Sequence, residues 1–473
     1  MNKLAKLNAF ALTLLITGSI DSVRNLPMAA IFGSSLIFFF LFAAIFFLIP
    51  TAIVSAHLTA NTPEGGIYQW VRLAFGERMG FLAVWLQWAN NLAWYPAILS
   101  FIAGTGAYLI NPQLAQNKFY LVSFILPAFW FLTLVNLRGV RLSAKFANFC
   151  AFFGLLIPML LIIILMVVWL LLKNPIQIQL TTHQIIPNLS NPEHWIGLTA
   201  IMLSFTGMEL ATVHINDVKN PQRTFPKALA SSTVLILATM MLGSLAIALV
   251  IPHEQMNLVN GAIQTFDYFL SAYHLKFLTP ILIALLILGS LGGISNWIIS
   301  PIKGLGQGAQ HGLLPPFFRR ENRYGVPYNL LLGQAIFVSF ICLAFLFLPS
   351  VNGSYWLLSA LTTQLYMLMY VLMFCAAFVL HKKYPASKNT FAIPFGKIGL
   401  WFVCLSGLAG CIITLIVGFI PPANINIGSA WLYQILFCSG LILMISPITL
   451  CYWYKSRQNK IIVPESLEKV LAK

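Results

Sequence analysis

Long runs of apolar residues, separated by short polar segments, repeat along the whole chain. A helix needs about 20 apolar residues to cross the hydrocarbon core of a bilayer. The pattern predicts about twelve such helices, here called spans 1 to 12, at residues 9–32, 34–56, 80–108, 119–137, 146–172, 195–216, 227–251, 277–305, 329–348, 356–380, 399–420 and 429–454. Since no long soluble segment remains, the predicted fold class is an all-α polytopic membrane protein.

Two of these runs contain groups that an unbroken spanning helix rarely holds. In span 1 the sequence TGSIDSVRNLP, residues 17–27, carries Asp21 and Arg24, and in span 6 Gly207 shortly precedes Glu209. Two interrupted segments at corresponding places in the halves of a chain are the sequence signature of an inverted-repeat transporter. The pattern therefore predicts a 5+5 inverted-repeat core in which spans 1 and 6 are broken helices.

The charges of span 1 allow two interpretations. A charge at the bilayer centre costs about 2.5 to 3.5 kcal/mol even on insertion scales. Asp21 and Arg24 are three residues apart, so on an unbroken helix they would share a face and could form a buried ion pair without function. Alternatively they belong to a polar site that faces water or substrate, which the neighbouring poor helix formers favour. The sequence leaves both interpretations open.

The distribution of basic residues predicts the orientation in the membrane. The chain is 59% hydrophobic and only 8% charged, and 23 of its 27 basic residues fall in segments on one side of the predicted spans. The opposite side keeps Lys118, Lys173 and Lys276, and Arg24 lies within a span. Short cytoplasmic loops collect Lys and Arg, so both termini are predicted to be cytoplasmic.

Charge and motifs exclude several function classes. The net charge of +16 is spread over the inner loops and is accounted for by orientation, which argues against a nucleic-acid partner. The sequence contains no G-x-S-x-G, H-E-x-x-H or G-K-[ST] motif, which argues against an enzyme or an ATP-driven pump. The seven cysteines include no C-x-x-C pair and read as packing residues. We therefore expect no catalytic residues, no cofactor and no metal.

Four segments carry a resemblance to a known superfamily. They are EGGIYQWVRLAFGERMGF (64–81), SFTGMELATVHINDVKNPQRTFPKAL (204–229), LGSLGGISNWIISPIKGLGQGAQHGLLP (288–315) and TFAIPFGKIG (390–399). With them the chain resembles the amino acid–polyamine–organocation superfamily of transporters, and within it looks most like the bacterial glutamate/GABA antiporters. The segments identify the superfamily strongly and the substrate weakly.

The resemblance implies a secondary active amino acid transporter that works by alternating access, with exchange as the expected mode. Past Lys145, span 5 carries no lysine of the kind that some proton-coupled relatives use, which favours exchange. Proton-coupled symport and a non-transporting amino acid sensor remain the alternatives. The implied organisation is a short cytoplasmic N-terminus (1–8), a first five-helix repeat (9–172), a second (195–380), spans 11 and 12 (399–454) and a short cytoplasmic tail (455–473).

The resemblance also implies a substrate site among spans 1, 3, 6, 8 and 10. The residues that it assigns to substrate binding are Gly18, Ser19, Asp21, Ser22, Arg24, Asn91, Tyr95, Ser204, Gly207, Trp297, Tyr366 and Tyr370. Glu209 is assigned to gating or proton sensing, with a permanently protonated structural role as its alternative. Two departures stand out: relatives lack the charges of span 1, and Gly293 stands where an acidic residue is expected.

The expected setting is a bacterial inner membrane. The predicted partners are an amino acid substrate and membrane lipid, and the sequence leaves a homo-oligomer open.

Overall fold

The computed structural model describes residues 8–63, 65–139, 149–150, 152–210, 212, 218, 220–310, 312–385 and 390–461. Within these ranges the chain is almost wholly helical, and an isolated β-bridge joins Glu321 to Pro327. The all-α fold class is confirmed. The predicted start of span 5, the end of span 6 and the end of the tail lie outside the described residues, as do the basic residues Lys3, Lys6, Arg141, Lys145, Lys219, Lys388, Lys469 and Lys473.

Most of the predicted spans are continuous or nearly continuous helices. In the described part of the chain, nine helices are long and apolar enough to cross a membrane, and they correspond to spans 2, 4, 5 and 7 to 12. Span 3 is less apolar but equally long. The observed bounds are Leu36–Ala43, Ala44–Leu48 and Ile49–Asn61 for span 2, Glu77–Ala107 for span 3, Lys118–Leu137 for span 4, Phe152–Leu156 and Ile157–Leu171 for span 5, Pro221–Val250 for span 7, Thr279–Gln310 for span 8, Tyr328–Cys342 and Ala344–Phe347 for span 9, Val351–Lys383 for span 10, Gly396–Val417 for span 11, and Ala430–Ile445 and Pro447–Ile461 for span 12.

Spans 1 and 6 are interrupted, as the sequence predicts. Span 1 consists of the helix Ala9–Ile20, a short 3-10 turn Val23–Asn25 and the helix Leu26–Ala30. The helical part of span 6 is Gly197–Ser204, after which the chain forms turns up to Leu210. Broken backbone at membrane depth is tolerated where it lies inside the protein, and both breaks are surrounded by other spans.

The helix of span 12 extends beyond the predicted end of the span. The last span was expected to end at residue 454, but its helix continues to Ile461. The segment after Tyr454 begins KSRQNK, which consists largely of good helix formers and contains neither proline nor glycine. The helix therefore extends beyond the apolar stretch, and the predicted tail of 455–473 starts as its last turns.

The packing of the spans places the two breaks at the centre of the molecule. Span 3 packs against spans 8 and 10, and the first helix of span 1 packs against span 7. Span 5 approaches span 8 so closely that a Cβ on Gly154 would stand 2.3 Å from the Cα of Gly289. Small residues allow such close approach of helices in membranes, and the contact forms one wall of the central cavity described below.

Candidate functional site

The break in span 1 is set by its local sequence. The Asp21 amide donates to the Thr17 carbonyl at 2.8 Å and closes the first helix. The backbone then becomes extended, with φ/ψ of −55°/136° at Asp21 and −151°/113° at Ser22. Pro27 stands at the start of the second helix, where its missing N–H costs no hydrogen bond. Because Asp21 and Ser22 are extended, Asp21 and Arg24 do not lie on one face of a continuous helix.

A cavity of about 150 Å³ lies beside this break, lined by residues of spans 1, 3, 5, 6, 8 and 10. Its walls include eight of the predicted site residues, namely Gly18, Ser19, Asp21, Ser22, Arg24, Asn91, Trp297 and Tyr366. Asn90, the neighbour of Asn91 in span 3, also contributes to the wall. Gly293 lies on the same wall, and a Cβ added there would meet no atom within 4 Å.

Asp21 is buried on the cavity wall with one carboxylate oxygen left over. Its Oδ2 accepts a hydrogen bond from the Thr239 hydroxyl of span 7 at 2.8 Å. Its Oδ1 is buried and has no hydrogen-bond partner. Buried polar atoms are nearly always paired in native proteins, so an unpaired carboxylate oxygen beside a cavity suits a ligand that carries a hydrogen-bond donor or a positive charge.

Arg24 faces the same cavity from the other end of the break. Its Nη1 donates to the Tyr355 hydroxyl at 3.3 Å, and its guanidinium carbon lies 5.6 Å from the centre of the Trp94 ring. Its Nε is buried without a partner. Asp21 and Arg24 do not form an ion pair with each other, so the interpretation of span 1 as a self-neutralising pair is wrong.

Glu209, by contrast, is fully hydrogen-bonded. Its Oε1 accepts from Tyr366 and from Gln87, each at 3.2 Å, and its Oε2 accepts from the hydroxyl of Tyr370. The Tyr370 hydroxyl in turn accepts from the Gly207 amide at 2.8 Å. We call these five residues, Gly207, Glu209, Gln87, Tyr366 and Tyr370, the span 6 latch, because their bonds tie the break in span 6 to spans 3 and 10.

The two breaks touch each other at Gly207. Its φ of +114° lies in the region that favours glycine, and a Cβ there would stand 3.3 Å from the Cγ1 of Ile20, the last residue of the first helix. Glycine thus permits both the turn in span 6 and the close approach to span 1.

The remaining predicted residues are near the cavity but not on its walls. The Tyr95 hydroxyl donates to the Trp297 carbonyl at 2.7 Å, which ties span 3 to span 8. The Ser204 hydroxyl donates to the Ala200 carbonyl of its own helix at 3.1 Å. Gly207, Glu209 and Tyr370 belong to the span 6 latch.

The sequence analysis missed four residues that complete the arrangement. Two of them had a signal in the sequence. Tyr355 lies at three- and four-residue steps from Tyr366 and Tyr370 and therefore shares their face of span 10. Gln87 precedes Asn91 by one helical turn, so these two residues share a face of span 3. Asn25, whose buried Oδ1 has no partner, follows Arg24 directly. Thr239 had no signal, because it is one of several hydroxyl residues in span 7 and nothing local distinguishes it from Ser231, Ser232, Thr233 or Ser244.

Comparisons with known proteins agree with this architecture. The family model described as amino acid permease matches residues 7–443. An uncharacterised transporter of Legionella pneumophila is 41% identical over 93% of this chain and 95% of its own length. A glutamate/gamma-aminobutyrate antiporter of Lactococcus lactis is 30% identical over 93% of this chain and 89% of its own length. A probable agmatine/putrescine antiporter of the same species is 25% identical over 84% of each chain.

Proposed function

The chain belongs to the amino acid permease family of membrane transporters, and on that premise we propose that it exchanges amino acids through the cavity beside the break in span 1. The family and the names of the relatives indicate a transporter rather than an enzyme. The mode of transport and the substrate are inferred from the site.

The observation that carries the proposal is the pair of opposite charges on one cavity wall, each with an unpartnered buried atom and neither paired with the other. An amino acid carries both a carboxylate and an ammonium group. We propose that Arg24 binds the carboxylate and that Asp21 Oδ1 accepts from the ammonium group. Each contact would remove one of the unpaired polar atoms, which are costly when buried.

Diamine transport is the second candidate, because one relative carries a diamine antiporter's name. A diamine offers an ammonium group to Asp21 but no carboxylate to Arg24. It would therefore bring a cation next to a buried guanidinium, so the charges of the cavity favour an amino acid.

The remaining site residues have supporting roles in the proposal. Gly18, Ser19 and Ser22 shape the backbone of the break, and Asn91, Trp297 and Tyr366 form the facing walls. We propose that Glu209 is a gating residue, because the span 6 latch must change its bonds if span 6 moves relative to spans 3 and 10. This movement is the alternating access of two five-helix repeats, residues 9–172 and 195–380.

Counterflow into proteoliposomes tests the proposal. Vesicles are loaded with glutamate, gamma-aminobutyrate, putrescine or glutarate, and uptake of each labelled compound is compared with uptake into empty vesicles with and without a pH gradient. We expect uptake only against an internal amino acid. Glutarate lacks the ammonium group and putrescine lacks the carboxylate, so both should fail to exchange.

Variants make the test specific to the two charges. Asp21→Asn should relax the rejection of glutarate, and Arg24→Gln should relax the rejection of putrescine. Asp267→Asn is the matched control, since Asp267 pairs with the exposed Lys276 at 3.8 Å, outside the spans. Uptake into empty vesicles driven by a pH gradient would indicate proton symport instead of exchange. Binding without any flux would indicate a sensor.

The proposed location is a bacterial inner membrane with both termini in the cytoplasm. Labelling of single cysteines with a membrane-impermeant reagent on intact cells tests the orientation. A cysteine in place of Gln113, on the side of Lys118, should react, whereas one in place of Arg320 should react only after the cells are opened.

A further inference from the structure

A second cavity lies among spans 3, 8, 9 and 12, apart from the one beside the break in span 1. Its volume is about 270 Å³, and its walls are almost wholly apolar. Its principal wall residues are Trp85, Trp88, Phe318, Leu330, Phe337 and Leu450. The polar side chain on these walls is that of Gln334, whose Oε1 accepts a hydrogen bond from Trp88 Nε1 at 2.9 Å and whose Nε2 is buried without a partner. The rest of the lining offers a polar solute little to replace its hydration, so the chemistry of the walls selects an apolar occupant.

The cavity owes its space to a glycine and opens towards the side of the molecule. Gly333 lies on its wall, and a Cβ added to Gly333 would meet no atom within 4 Å. Leu450, another wall residue, is 68% exposed. In a chain that spans a membrane, an exposed leucine on a span faces acyl chains, which are the apolar molecules that can enter from this direction.

Basic side chains lie at the rims of the cavity. Arg319 and Arg320 are exposed and follow the wall residue Phe318 directly, and the Nη2 of Arg319 lies 3.5 Å from the carbonyl of Leu314, which is also on the wall. On the other rim, Lys455 follows the wall residue Cys451 by one turn and pairs with Glu77. Arg323 adds another positive charge to the loop, against the single carboxylate of Glu321.

We propose that this cavity binds an acyl chain of an anionic phospholipid, whose headgroup lies against Arg319 and Arg320. The apolar walls take the chain, and the two arginines at the rim supply the charge that distinguishes an anionic headgroup from a zwitterionic one. The site is independent of the proposed transport cavity, so either proposal can fail without the other.

Native mass spectrometry of the purified full chain tests the site, with phosphatidylglycerol and phosphatidylcholine of the same acyl chains added in turn. The wild type should bind phosphatidylglycerol in preference. Gly333→Leu fills the cavity and should remove binding of both lipids. Gly306→Leu is the matched control, because Gly306 is also a helical glycine with no atom within 4 Å of an added Cβ but is not on the cavity wall. It should bind lipid like the wild type.

A second variant keeps the test decisive if Gly333→Leu does not fold. Arg319→Gln with Arg320→Gln changes only exposed side chains. It should lower phosphatidylglycerol binding by roughly fivefold for each arginine removed, which is the attraction of one basic residue to an anionic surface, and leave phosphatidylcholine binding unchanged. Equal binding of the two lipids by the wild type would overturn the proposal. So would a dimer of the chain that Gly333→Leu abolishes while lipid binding stays unchanged.

Discussion

The breaks in spans 1 and 6 lie against each other, yet their polar groups are treated in opposite ways. At the break in span 1, Asp21 and Arg24 are 5% and 3% exposed and each keeps a buried atom without a partner. At the break in span 6, Glu209 is 2% exposed and both of its carboxylate oxygens accept hydrogen bonds. The unpaired polar atoms at the first break cost stability, and a ligand that binds them can offset this cost. The carboxylate at the second break is fully hydrogen-bonded within the protein.

This difference separates binding from stability. Substitutions at the break in span 1 should damage transport and leave the fold intact, since the native charges are already poorly satisfied. Substitutions of Gly207, Glu209 or Tyr370, the latch residues of spans 6 and 10 that are not on the cavity wall, should damage the fold and change the rate of transport without changing which compounds are recognised. Four expected outcomes follow, from the largest effect to the smallest.

Arg24→Gln should have the largest effect on transport. Loss of a buried charge contact to a substrate carboxylate costs about 3 kcal/mol, so counterflow at low substrate concentration should fall by roughly a hundredfold. The melting temperature of the protein in detergent should stay within a few degrees of wild type, because the change also removes a buried Nε without a partner. Arg323→Gln, outside the spans, controls for loss of an arginine. A large fall in melting temperature with normal transport would make Arg24 structural.

Tyr370→Phe should have the largest effect on stability. It removes the hydroxyl that bonds both the Gly207 amide and the Glu209 carboxylate, so we expect a loss of about 2 to 3 kcal/mol, seen as a lower melting temperature. Tyr433→Phe is the matched control. The Tyr433 hydroxyl donates to the Gly418 carbonyl at 3.1 Å and bonds no charged group, so its loss should cost about 1 kcal/mol. A similar melting temperature for both variants would contradict the importance of the span 6 latch.

Asp21→Asn should lower exchange by roughly tenfold, since one charge-assisted bond to the substrate ammonium group is replaced by a neutral one. The melting temperature should be unchanged or higher. An asparagine keeps an oxygen to accept from Thr239 and removes the buried charge. Counterflow measures the predicted loss of exchange, and thermal unfolding of the same preparation measures the melting temperature. A lower melting temperature together with full exchange would show that the carboxylate serves the fold.

Gly293→Ala should have the smallest effect. The added methyl group meets no atom within 4 Å, so stability should change by less than about 0.5 kcal/mol and the apparent affinity only slightly. Gly289→Ala is the opposing case on the same span, because a Cβ there would stand 2.4 Å from the Gly154 carbonyl oxygen. The second variant should be strongly destabilised. If the two behave alike in thermal unfolding, the glycines do not differ in packing as described.

The sequence by itself determined the spans and the places where two of them break. Spanning length is a property of a local run of apolar side chains, and the poor helix formers around Gly18 and Gly207 act on their own backbone. These features need no knowledge of the neighbouring helices, which is why they were predictable. The identity of the family was also carried by contiguous segments.

Only the tertiary structure decided how the charged groups are paired. The argument that Asp21 and Arg24 share a face assumed helical register, and the extended backbone at Asp21 and Ser22 removes it. The partners of Glu209 come from residues 122 and 161 positions away, and the partner of Asp21 comes from 218 positions away. Hydrogen bonds across such separations depend on how the spans pack together, and no local pattern of the sequence records them.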